Sequence, residues 1–296
     1  MFTILGLLIV IGAVIGGYLM EHGQLMVLMQ PAELVIIGGT ALGAALISNP
    51  IYVITKALSN ILKCFTPDHY NKKVYLETLK MLFAVFSLGR KQGDQALEAE
   101  VENPAGGSTF STYPAFVKDK ASLNYVCDTL RMSLMGGSAH DLDELMEVDA
   151  ESQQEESAQP VSALQSVADA LPGFGIVAAV LGVVITMGAL GGPPEEIGHK
   201  VAAALVGTFL GILLCYGVVG PFATRLGMLN HGHHEYLMCL RSAVIAYVKG
   251  TSPLMAVEHG RRSIPLRIRP GFSDLESACK GGGAPAEAAA AAGAGK

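Results

Sequence analysis

The sequence predicts an all-α, polytopic membrane protein with four transmembrane helices and a helical cytoplasmic domain. Three observations predict it. Hydrophobic residues make up 51% of the 296-residue chain and charged residues only 16%, against about 25% charged in a soluble domain. Four apolar runs approach the roughly 20 residues that a helix needs to cross a bilayer. All but one of the basic residues lie in two stretches, one between the second and third runs and one after the fourth. Glycine is abundant at 35 residues and tryptophan is absent, so small side chains set the close packing.

The first run, Phe2 to Met20, carries no charge. A cleaved signal peptide would need a basic n-region and a small-residue cleavage site; neither is present, so the run reads as a true span. The second, Ala32 to Ile54, is broken by Asn49 and Pro50, and its only charge is Glu33 at the edge. After the polar stretch Lys56 to Asp169 come the third run, Ala170 to Leu190, and the fourth, Val201 to Phe222. These limits divide the chain into residues 1–54 (spans one and two), 55–169 (a cytoplasmic domain), 170–222 (spans three and four), 223–280 (a cytoplasmic C-terminal region) and 281–296 (a disordered Gly/Ala-rich tail).

Orientation follows from the basic residues. The loop Glu21 to Pro31 has none, and Gly191 to Lys200 has only Lys200. The other 19 of the 20 lie in Lys56–Arg131 or after Phe222. Those segments are cytoplasmic, so both termini are inside. The net charge of −6 says little because the charges are unevenly placed; no Lys or Arg precedes Lys56, and nothing suggests nucleic-acid binding. Cys64, Cys127, Cys215, Cys239 and Cys279 form no CxxC pair and read as free thiols in a reducing compartment.

Within the third run Pro172, Gly175, Ala179, Gly182 and Thr186 share one helix face, as do Ala204, Thr208, Gly211 and Cys215 in the fourth. Gly207/Gly211, Gly12/Gly16 and Gly39/Gly43 are small-xxx-small pairs. Such faces serve packing within one bundle, or else meet another subunit or line a path. No charged residue or His lies in the interior of any run. An intramembrane charge costs about 2.5–3.5 kcal/mol on insertion scales and marks proton relays. A proton carrier built on this chain therefore takes its titrating group from a partner.

In the polar stretch, Lys72 to Leu88 and Ala121 to Met135 read as helices. Arg90, Asp94 and Glu98 fall at i, i+4 and i+8, one mixed-sign stripe if the helix continues past Gly93; it is either a solvated face or an electrostatic docking surface. Glu102-Asn103-Pro104 and Ser111-Thr112-Tyr113-Pro114 read as turns. Eight acids and no base occupy Asp141 to Ser157, the pattern of a solvated helix or linker. His231, His233 and His234 lack a zinc spacing. There is no nucleophile–base pair, nucleotide loop or metal set, so the chain does not read as an enzyme, and no cofactor is expected.

The stretches LPGFGIVAAVLGVV (Leu171–Val184) and AALVGTFLGILLCYGVVGPFA (Ala203–Ala223) closely resemble the paired spans of MotA-type flagellar stator subunits. Arg90-Lys91-Gln92-Gly93, Ala96-Leu97-Glu98, Glu102-Asn103-Pro104 and Ala256-Val257-Glu258-His259-Gly260-Arg261 are similar to the same family, in family order, across residues 2 to 276. The resemblance implies a torque-generating stator of a proton-driven flagellar motor, in the bacterial inner membrane. It implies five such subunits around two single-span MotB-type partners, which supply a proton-accepting aspartate and a peptidoglycan anchor. It assigns Arg90 and Glu98 to contact with a FliG-type rotor switch protein. It puts Pro172 beside the partner's aspartate, Thr208 facing the channel and Pro221 at the inner end of the fourth span. In sodium-driven members the positions matching Ala179 and Gly207 often carry Thr; here neither has a side-chain oxygen, which favours protons. The dense acidic run and the tail find no counterpart.

The nearest alternative is an ExbB/TolQ-type energiser of outer-membrane processes, typically three-spanned; two spans before the cytoplasmic segment and the Arg90–Glu98 pattern count against it. A self-contained secondary transporter should show repeated halves and an intramembrane binding residue. A purely structural scaffold leaves the match at Arg90 and Glu98 unexplained.

Overall fold

The structure, a computed structural model, describes residues 2–188, 191 and 193–281. The tail expected to be disordered lies, from residue 282 onward, outside the described residues, as does part of the loop between the third and fourth runs. Among the described residues there is no strand. The helices are α1 (Phe2–Met20), α2 (Leu25–Leu28), α3 (Pro31–Ser48), α4 (Ile51–Lys63), α5 (Lys72–Gln92), α6 (Asp94–Glu102), α7 (Pro114–Lys118), α8 (Lys120–Leu134), α9 (Ala139–Met187), α10 (Pro194–Leu213), α11 (Gly220–Val248), α12 (Pro253–Ser263) and α13 (Phe272–Lys280).

Four stretches are helical, long and apolar enough to cross a membrane: Phe2–Met20, Leu25–Ser48, and parts of Ala139–Met187 and Ile197–Val248. The all-α fold with four spanning helices is therefore as the sequence predicts. Their limits differ from the apolar runs. The second run ends as a helix at Ser48, because Pro50 disfavours helical backbone at Asn49, which is extended. The third run is only the end of α9, which begins at Ala139. Helix propensity does not change where polarity does, so the acidic stretch and the span form one helix. The fourth run contains a π-helical segment, Leu214–Val219, in which the Gly220 N–H donates to the Cys215 carbonyl five residues back. Pro221 has no N–H to offer the Gly217 carbonyl, and the wider turn absorbs that lost bond.

The described residues form two compact units: those up to Pro67 with those of Glu155–Asn230, and those of Asp68–Gln154 with those from His231 onward. In the first, the core is thin. Ile37 and Ala41 of α3, Ala168, Leu171 and Ala178 of α9, and Cys215 pack together, and α1 buries none of its residues. Apolar side chains left outward are what a lipid environment solvates. Lys56 of α4 pairs with Glu156 at 2.7 Å, and the Tyr52 hydroxyl donates to Gln159 at 2.8 Å.

The second unit has a conventional core. Asn71 caps α5, accepting from the N–H groups of Lys73 and Val74 at 3.0 and 3.2 Å. The helix then buries Tyr75, Leu79, Leu82 and Phe86, a stripe of helical period. It ends at Gly93, whose φ of 84° suits a residue without Cβ. Arg241 of α11 donates to Asp143 at 2.6 Å and Glu147 at 3.2 Å. Gly260 lets α12 lie close on its neighbours: a Cβ there would stand 3.0 Å from the Ala243 Cβ and the Cys239 carbonyl and 3.1 Å from Leu79.

Candidate functional site

The small-residue faces meet each other. A Cβ on Gly175 of α9 would lie 2.7 Å from the Gly207 carbonyl, 3.1 Å from the Gly211 Cα and 3.3 Å from the Thr208 Cα. A Cβ on Gly211 would stand 2.6 Å from the Leu171 carbonyl, and one on Gly182 2.8 Å from the Ala204 Cβ. Contacts below 3.0 Å have no room, so α9 and α10 touch backbone to backbone and only glycine fits. Gly12, Gly16, Gly39 and Gly43, by contrast, have open space beside them. The sequence left packing, subunit contact and the lining of a path open for these faces; Gly175, Gly182, Gly207 and Gly211 pack within the chain at the seam.

Of the residues expected on the ion path, Ala179 and Thr208 lie at that seam. Ala179 and Gly207 face one another, the Ala179 nitrogen lying 3.2 Å from where a Gly207 Cβ would be. Thr208 follows, half-buried. Pro172, half-buried, sits next to Leu171 and gives no N–H to the carbonyl of buried Ala168. Pro221 is exposed and lines a cavity of about 500 Å³ with Asp169, Cys215, Tyr216 and Arg225.

One residue of this region was not among the site residues expected from the sequence. Glu33, the charge at the edge of the second run, is 6% exposed, and its carboxyl reaches the seam at Gly207 and Gly182. Only the tertiary packing of α3 on α10 turns it inward.

In the second unit, Arg90 and Glu98 are both exposed but do not share a helix. Gly93 ends α5 and a new helix starts at Asp94, so the i, i+4, i+8 stripe is broken. The Arg90 guanidinium donates to the Gly250 carbonyl. Glu98 lies between Leu97, which enters the core, and Glu100, which is buried. Glu100 is structural. Burial works against its charge, but donation from the Ser108 hydroxyl and from the N–H groups of Phe110, Thr109 and Ser108 outweighs that and holds the carboxyl below the usual range. Glu258 is held lower still, to about 2, chiefly by the Arg261 guanidinium, with burial opposing and Arg262 adding to it. Two of the clustered histidines have local partners: His233 Nδ1 lies 2.6 Å from the Tyr70 hydroxyl, and His231 lies 3.4 Å from Glu235. Among the described residues no three His, Cys, Asp or Glu converge on one point.

Residues 4–93 match the family model for the motility protein A N-terminal region, and residues 118–236 that of the MotA/TolQ/ExbB proton channel family. The chain is 38% identical over 277 residues to motility protein A of Salmonella typhimurium, spanning 93% of this chain and 94% of that protein, and 38% identical over the same shares to that of Escherichia coli. It is 36% identical to the chemotaxis protein LafT of Vibrio parahaemolyticus, over 92% of this chain and 96% of that one. Its fold is that of a chain in the C. jejuni MotAB structure, with a TM-score of 0.74, 18% identity and coverage of 89% and 95%. A chain of the Bacillus subtilis flagellar MotAB stator complex gives 0.73, 21%, 91% and 98%.

Proposed function

This chain belongs to the motility protein A family, and on that premise we propose that it is a flagellar stator subunit which, with a MotB-type partner, conducts protons and drives the rotor. The observation that carries this reading is the match to motility protein A over nearly the whole chain, the N-terminal spans included. That coverage also disfavours an ExbB/TolQ-type energiser.

The protein spans the bacterial inner membrane, with both termini and the second compact unit in the cytoplasm, as the segregated basic residues argue. Five copies surround two single-span partners, by family resemblance, and the outward apolar faces meet lipid and neighbouring copies. Each partner brings the aspartate that accepts the proton. Pro172, Ala179 and Thr208 line the path beside it, and Pro221 stands at its inner end. Moving one charge through 100 mV releases about 2.3 kcal/mol. Neutralising a buried carboxylate changes which helix packing is preferred, a population shift. Pro172 provides a bend at which two packings can differ. Arg90 and Glu98 present opposite charges to a FliG-type rotor protein, which suits weak, repeated contact. The work is conduction and torque, not catalysis.

Deleting the gene should leave cells with complete flagellar filaments that do not swim. Complemented cells should swim in sodium-free medium and stop when a protonophore is added. Normal swimming in the deletion strain overturns the stator reading; swimming that needs sodium and survives the protonophore overturns the choice of ion.

A further inference from the structure

Glu33 stands at the third position of α3, after Pro31. A glutamate there commonly folds back to the N–H of the residue preceding the helix. That N–H, of Gln30, donates instead to the Leu28 carbonyl at 3.2 Å, and Glu33 turns into the protein. It is 6% exposed, and its Oε2 finds no hydrogen-bond partner among the described residues. Two glycines make the space. A Cβ on Gly207 would lie 2.5 Å from Oε2 and one on Gly182 3.6 Å from Oε1. The carboxyl is thus held where α3, α9 and α10 meet, beside the Ala179–Gly207 contact.

A buried polar group is normally hydrogen-bonded, and an acid within a membrane span is expensive and retained for function. A purely structural role at this point would be served by an apolar side chain. The groups packed against the carboxyl are uncharged. Between Asp169 and Met187, α9 carries no titratable side chain, its one hydroxyl being that of Thr186, and α2 carries none; α10 carries Glu195, Glu196, His199 and Lys200, all in its first two turns. Among the described residues, Glu33 is the one acid or base placed at the seam itself.

We propose that Glu33 is a proton-binding carboxyl of this chain, loaded from the outer aqueous side and unloaded toward the partner's aspartate. The carboxylate takes a proton from a hydronium ion, leaving water, and becomes a neutral acid. It then gives that proton, directly or through water, to the partner's carboxylate and regains its charge. No oxidant or further reagent is needed. The chain would then supply a titrating group of its own. This inference rests on the stator reading above.

The test uses the complete complex with its MotB-type partner, in liposomes containing a pH-sensitive dye. Wild-type complex should conduct protons; Glu33→Gln, which keeps size and shape, should lower the flux at least tenfold with assembly unchanged, and Glu33→Asp should retain more flux than Gln. Dicyclohexylcarbodiimide, which adds to protonated carboxyls in apolar surroundings, should label the wild-type peptide containing Glu33, read by mass spectrometry. Equal flux through Glu33→Gln and wild type overturns the proposal and leaves the stator reading standing. If Glu33→Gln does not assemble, the label decides: its presence at Glu33 supports the proposal, and its confinement to the partner's aspartate overturns it. A wild-type complex that conducts no protons overturns the stator reading, and this proposal falls with it.

Discussion

Replacing Glu258 with Gln keeps the size of the side chain and removes its charge. In the structure the carboxylate receives Arg261 through Nε at 2.6 Å and a second nitrogen at 2.7 Å, and Arg262 at 2.9 Å. The Glu258 side chain is 10% exposed and that of Arg261 12%, so water screens the pair little. A carboxyl held at about 2 rather than 4.5 corresponds to about 3 kcal/mol, at 1.36 kcal/mol for each tenfold change. That agrees with the roughly 3–5 kcal/mol lost when one partner of a buried pair is removed. The sign follows from the lowered value: the stabilisation is complete above pH 4.5 and is lost as pH falls toward 2. For a unit of this size, about 3 kcal/mol lowers Tm by roughly 6–12 °C. The chain has no tryptophan, but its five cysteines are all buried. A thiol-reactive dye therefore reports unfolding of the purified protein in detergent. The gap in Tm between wild type and Glu258→Gln, measured by circular dichroism below pH 5 where thiols react slowly, should close as pH approaches 2. A gap under 1 °C at pH 7, or one that persists unchanged in acid, refutes the reasoning.

Gly175→Leu should separate α9 from α10, costing about 1–3 kcal/mol as overpacking does, and lower both the amount of protein in the membrane and swimming. Gly39→Ala, with open space at that position, should change neither the amount nor the Tm; equal behaviour of the two variants would count against the seam. Arg90→Glu combined with Glu98→Lys should abolish swimming at normal membrane levels and normal Tm, because both side chains are exposed. Normal swimming of that double variant would place rotor contact elsewhere.

What the sequence disclosed and what it hid divide by the range of the interactions involved. The four spans follow from transfer of apolar side chains out of water, a property of each run by itself. The start of α5 at Asn71 and its end at Gly93 rest on capping and on a left-handed backbone, chemistry contained within a few residues. The same local break separates Arg90 from Glu98, which would share one stripe only if the helix continued past Gly93. The acidic run looked solvated because its partners are distant: Asp143 and Glu147 are taken by Arg241, and Glu156 by Lys56. The small-residue faces could be recognised, but not what they touch. Gly175 needs Gly207 and Gly211 opposite it, and no periodicity specifies that pairing. Glu33 is the extreme case. Its sequence neighbours make it an ordinary first-turn acid near a membrane surface. Only the absence of side chains at Gly182 and Gly207, both far along the chain, admits it to the seam. A titrating group expected from a partner alone is therefore also present in this chain, at a place that only folding brings together.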